Sequence, residues 1–292
     1  MKFGFLMDSK EFDFGGFSIR KVPDFDSILN CFYESASVSN GWIYGTTSYI
    51  QQTREEQKMF HGGEPVAASR SFPVICTHSI ESDVENSDHL KFLILGYGFL
   101  QGVLLLPEGH QYLKRTPYRS GTLTGLILCK NDHVNGMNAI NDFYIKSSVE
   151  KRKQMFSIIH WFLMGQSYDH EWEQFDNQYK VLDGLSKLNS VTGAHSARPR
   201  FLAEKYGMML PEWARVNDEN KQSKLAQLRN DLAHEAVYAN SPIGYAVAGE
   251  NYCLEFASFN AKLIIASLGI NCPYLKANPE NRSQWGWDIL EM

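Results

Sequence analysis

The chain is short of several things, and each shortage removes a class of protein. Its five cysteines, Cys31, Cys76, Cys129, Cys253 and Cys272, are odd in number, far apart and never in a C-x-x-C pair. That distribution argues against a disulfide framework and against a zinc knuckle, and it fits a reducing compartment. No uninterrupted apolar run approaches the roughly 20 residues of a bilayer-spanning helix. The N-terminal segment has Lys2 and then only a brief apolar stretch before Asp8, without the apolar core of a signal peptide. A soluble, cytoplasmic protein is expected. Positive charge is in deficit too, with 28 Lys and Arg against 33 Asp and Glu, a net charge of -5. Such a surface does not coat nucleic acid by bulk electrostatics, so any nucleic-acid contact has to be local. There is no repeat, no low-complexity segment and no close pairing of His, Cys and carboxylates to hold a metal; no metal or cofactor is expected. No serine has a nucleophile-elbow setting. Gly96-Tyr97-Gly98-Phe99-Leu100-Gln101-Gly102 fails as a dinucleotide loop, because its last glycine falls one place late and no helix follows before Pro107; strand glycines are the preferred reading.

What is present is apolar and aromatic mass. Hydrophobic residues make up 43% and aromatics 13% of 292 residues, enough to bury a core in each of two domains. An α+β chain is expected, with a β-rich domain over 1–147 and a helical bundle over 148–292. Short apolar runs such as Phe3 to Leu6, Phe17 to Ile19 and Leu90 to Leu95, broken by Gly, Pro, Asn and Asp, read as strands. Phe25 to Ser35, after Pro23, reads as one helix on that sheet. Beyond Ser148 glycines thin out and apolar residues recur at helical spacing, which predicts helices near 148–165, 168–190, 198–206, 218–238 and 250–268.

The fourth of these helices carries the chemistry. Asn217 and Asp218 read as its N-caps, with Asp218 and Glu219 suited to the positive end of its dipole. On a wheel of about 100° per residue, Leu225, Leu228 and Leu232 form one compact stripe, and Lys224, Gln227, Asp231 and Glu235 form a solvated strip. A third arc holds Arg229, Ala233, Ala226, Val237, Asn230 and His234, small residues mixed with strong hydrogen-bonding groups. That arc admits a second helix at close range and keeps His234 out of the chain's own core. An Arg five places before a His is common by chance, so the spacing alone says little; the adjacent Asn, the preceding Ala and the small-residue face give it weight.

With these features, the segment Arg229-Asn230-Asp231-Leu232-Ala233-His234 resembles the motif of the HEPN superfamily: an Arg, a polar residue and then a His, on a late helix of a small bundle. Arg200 to Gly207, followed by Leu210-Pro211-Glu212-Trp213, is similar to the segment preceding the motif in ApeA-like HEPN domains. Ser241-Pro242-Ile243-Gly244 and Leu268-Gly269-Ile270 are similar to that group as well. The resemblance covers about 150–275 and leaves the first half untouched. It implies a homodimer whose motif helices face each other across a cleft, and metal-independent RNA cleavage in which the 2'-hydroxyl attacks the adjacent phosphate, leaving a cyclic phosphate. A histidine titrates at about 6.5 when unperturbed, so His234 suits acid–base work near neutral pH. Arg229 supplies a fixed planar charge for the phosphate, and Asn230 orients the imidazole or the RNA backbone. Two copies of Arg229 also make a local anion site on an acidic protein. Arg198 and Arg200 are candidates for further RNA contacts, against the plainer reading of a solvated loop; Lys151-Arg152-Lys153 reads as helix surface. The resemblance points to a toxin or phage-defence effector whose first half senses a trigger, binds an antitoxin or other partner, or selects RNA. The alternative is a non-catalytic module of the same family that binds a nucleotide, an RNA or a partner protein without cutting.

Overall fold

The computed structural model describes residues 1–34, 38–44, 71–83, 86–113, 115–124, 126–127, 132–165, 167–217, 221–244, 251–278 and 285–286. Within them the architecture is α+β, with sheets in the first half and helices dominating the second. The main sheet is antiparallel throughout, in the order Phe12–Phe14, Phe17–Lys21, His78–Ser82, Lys2–Gly4, Leu106–Pro107. Register places Phe3 opposite His78 and Ile19 opposite Ile80, which turns Phe3, Ile19 and Ile80 into one buried surface. Helix α1 (Phe25–Glu34) forms where the spacing of Ile28, Leu29 and Phe32 predicts it, and Phe32 stacks on Phe5 at 4.3 Å. Ser35 and the stretch 45–70, read above as helix end and strands, lie outside the described residues.

Two helices, however, replace strands over part of the first half. Leu90 to Leu95 belongs to α2 (Ser87–Gln101), not to a strand, and Gly96 and Gly98 are helical glycines. The Asn86 side chain accepts the His89 amide at 3.1 Å and starts this helix, and Gly102 at φ 65 closes it. Because α2 is buried nearly all round, it has no polar stripe to display helical period, and a short apolar run reads equally as a buried strand. A Cβ on Gly96 would come within 2.8 Å of Ile140. That close approach belongs to α3 (Asp132–Lys146), a helix hidden in the sequence by Asn135, Gly136, Asn138 and Asn141, all weak helix formers.

Four of the five helices of the second half follow their predicted spans closely: α4 (Val149–Gly165), α5 (Glu171–Leu188), α6 (Arg198–Tyr206) and, after the motif helix, α8 (Cys253–Ser267). Helices α4 and α5 pack on each other, and α8 lies against both and against α6. Buried Asn260 of α8 donates to the Gln178 carbonyl of α5 at 2.8 Å and to its side-chain oxygen at 2.9 Å, pinning the two helices in register. Apolar packing also crosses from the first half to the second, since α2 contacts α4 and Phe99 meets Phe162 edge-on at 5.5 Å. Among the described residues, no helix is long and apolar enough to cross a membrane.

Candidate functional site

The motif helix is shorter and more irregular than its sequence predicts. Helix α7 spans Lys224–Asn230, starting late because the Ser223 side chain, not Asn217, caps it by accepting the Ala226 amide at 3.1 Å. Asn217 instead pairs with Gln222 in an isolated β-bridge, and Asp218 and Glu219 lie outside the described residues. From Asp231 to Glu235 the chain widens into a π turn, closed by the Ala236 amide on the Asp231 carbonyl. Ala236 then takes a left-handed φ of 54, and Val237–Tyr238 pairs with Ser241–Pro242, so Val237 is on a strand rather than on a helix face. Ala226, assigned above to the partner-facing arc, is buried in its own chain, as are Leu225 and Leu228; Leu232 is partly buried against the same core. Ala233 and His234 are exposed, and Arg229 and Asn230 are half-buried.

The π turn changes which motif residues meet. In a regular α-helix, residues five apart point about 140° away from each other. An i to i+5 winding brings them onto one face. Accordingly, Arg229 Nη1 lies 3.4 Å from His234 Nε2 and donates to Asn230 Oδ1 at 3.0 Å. Asn230 therefore holds the guanidinium, not the imidazole. An arginine only donates, so in a hydrogen bond between these two groups Nε2 is the acceptor. The Arg229 guanidinium also lies 6.0 Å from the Tyr179 ring centroid, and among the described residues it forms no ion pair.

Tyr179 and Asp183, one turn apart on α5, tie the motif to a second cluster that the sequence reading missed. Asp183 forms an ion pair with Arg198 at the start of α6 and lies 3.5 Å from His195 Nδ1, in the turn His195–Ala197. Arg198 Nη1 is 3.1 Å from the same imidazole nitrogen, and that turn packs on α7. Burial, the Arg198 charge and the Arg229 charge hold the His195 imidazole below its usual range, against the opposing pull of Asp183. Burial, with the Asp183 charge, pushes the Tyr179 hydroxyl up to about 12, so it stays protonated. Between α5 and the motif lies a hollow of about 190 Å³, walled by Tyr179, Lys180, Asp183, Arg229 and Ala233. Lys180 is matched there by Asp176 at 2.8 Å.

Of the two candidate RNA-contacting arginines, Arg198 joins this cluster and Arg200 does not. Arg200 is exposed, 3.9 Å from Glu204 and 4.9 Å from the Phe201 ring of its own helix. His195 sat in the same sequence stretch, but its partner Asp183 lies on another helix and no local spacing signals it. Among the described residues, no three His, Cys, Asp or Glu side chains are grouped to hold a metal.

Against protein-family models, curated proteins and solved structures, nothing matches this chain. The functional reading therefore rests on the geometry of these side chains and on the motif.

Proposed function

We propose that the chain is a metal-independent endoribonuclease of HEPN type, acting at a cleft made by the motif helices of two copies. The observation that carries this reading is the Arg229–His234 pair. Among the described residues this cation has no carboxylate partner; it donates to Asn230 and lies near Tyr179, with the exposed His234 imidazole 3.4 Å away.

The chemistry follows from these two groups. As Arg229 turns to the phosphate it frees His234 Nε2, which removes the proton from an RNA 2'-hydroxyl, and the freed oxygen attacks the adjacent phosphorus. The bond to the 5'-oxygen breaks, giving a 2',3'-cyclic phosphate and a 5'-hydroxyl, whose proton comes from His234 of the second copy or from water. Arg229 meets the charge that grows on the non-bridging oxygens. A toxin or defence role for such an activity is part of the same proposal.

The test is cleavage of mixed RNA in EDTA by the full chain, beside His234→Ala and Arg229→Ala variants. Loss of roughly 100-fold or more in each variant is expected, the usual scale for removing an acid–base group or an oxyanion donor. RNA binding without cutting by the parent chain would assign the same residues to a binding module instead. Light scattering at high concentration checks the two-copy cleft, and a strict monomer would remove it.

A further inference from the structure

The fold divides the basic run Lys151-Arg152-Lys153 at the start of α4. Lys151 lies outside, whereas half-buried Arg152 and exposed Lys153 line a groove of about 660 Å³ together with Lys91 and Phe92 of α2, Tyr144 of α3 and Phe156 of α4. The groove shares no residue with the motif cluster. Among its lining residues three cations stand with one carboxylate, Asp88, and Glu150 lies near enough to Lys153 to feel its charge, on a protein whose net charge is -5.

Arg152 is built into this wall rather than waving from it. Its Nε donates to the Ser147 carbonyl at 2.9 Å and its Nη2 to that of Ile145 at 3.4 Å. Its guanidinium lies 4.5 Å from the Tyr144 ring, which in turn stacks on His89 at 3.9 Å and 4°. The plane of the guanidinium is thereby fixed, and among the described residues Nη1 has no hydrogen-bond partner. The N-terminus of α4 is already served: Ser148 accepts the Lys151 amide, and Glu150 is held below the usual carboxylate range by its own backbone amide and by Ser148. The site therefore consists of side chains.

We propose that this groove binds a nucleoside polyphosphate, with the phosphates on Lys91, Lys153 and Arg152 Nη1 and the base against the Arg152 plane and Phe156. Two ammonium groups and a guanidinium edge match phosphate oxygens. The aromatic and aliphatic walls, among them exposed Val149, have nothing to offer a bare anion but suit a flat base, and guanidinium planes stack on bases. The volume falls in the range of small-molecule sites. This site stands apart from the nuclease reading and does not depend on it.

The test is calorimetric titration of the full chain with ADP, beside adenosine, inorganic pyrophosphate and a short oligoribonucleotide. One ADP per chain is expected, with pyrophosphate weaker and adenosine weaker still. Lys153→Glu, a change at an exposed position that the fold tolerates, and Lys91→Glu each weaken ADP by roughly tenfold or more, the scale of a lost charged hydrogen bond. Arg152→Lys narrows the preference for ADP over pyrophosphate, and Arg229→Ala leaves ADP binding unchanged. The proposal is overturned if ADP fails to bind at millimolar concentration or if the groove variants bind as the parent does. It is equally overturned if Arg229→Ala abolishes binding, if pyrophosphate binds as tightly as ADP, or if the oligoribonucleotide binds more tightly than ADP through the same lysines.

Discussion

At the scale of single residues, His195 shows what a linear reading reaches and what it misses. Arg229, Asn230 and His234 are legible because they sit within six consecutive positions. His195 and Arg198 are equally visible as letters, yet their meaning comes from Asp183 and Tyr179 on a different helix, and no spacing rule links 183 to 195 or 195 to 229. The arrangement has a signed signature. Asp183 raises the His195 titration, while Arg198 and Arg229 lower it. In NMR titrations, the His195 midpoint should therefore fall in Asp183→Asn and rise in Arg198→Met and in Arg229→Met. An unmoved midpoint in Arg229→Met would place the two clusters too far apart to act on one ligand.

At the scale of elements, periodicity located the amphipathic helices well and failed where a helix has no polar face or poor formers. Helix α5 shows its period because charged residues line one side; α2 hides it because both sides are buried, and only Asn86 and Gly102 mark its ends. The motif helix fails differently. A wheel at constant pitch assigned Ala226 and Val237 to one arc, whereas the π turn and the reversal at Ala236 send one into the core and the other onto a strand. Ala236 carries a left-handed φ of 54, a conformation that costs a side chain with a Cβ about 1 kcal/mol. Ala236→Gly should raise the unfolding free energy by roughly 0.5 to 1 kcal/mol in urea titrations. A loss of stability would show that the Ala236 methyl makes contacts worth more than the strain.

At the scale of the whole molecule, the buried histidines contribute to the response to acid. Burial holds His78, which has Phe3 stacked at 5.8 Å and Phe25 edge-on at 5.4 Å, down at about 4. An unfolded chain protonates it at about 6.5. Between those values the unfolded state takes up a proton that the folded state refuses, so stability is lost as pH falls through the window, by roughly 3 kcal/mol in all. Below about 4 both states are protonated and this contribution levels off. His89, His133 and His160 are shifted down by burial as well and add to the loss. Denaturant unfolding at pH 7 and pH 4.5 measures the effect, and His78→Leu should flatten the difference; an unchanged pH slope in that variant would move the acid sensitivity elsewhere. None of this is visible in the sequence, where the nine histidines look alike until the sheet closes over His78.

The π turn at Asp231–Glu235 has a consequence for how such a motif is counted. Five residues along a widened turn bring Arg229 and His234 together, and four residues along a regular α-helix would bring an equivalent pair to one face as well. A chain one residue shorter at Ala233 and wound regularly would thus present the same two groups. The interval between the arginine and the histidine in this chain is tied to its local winding.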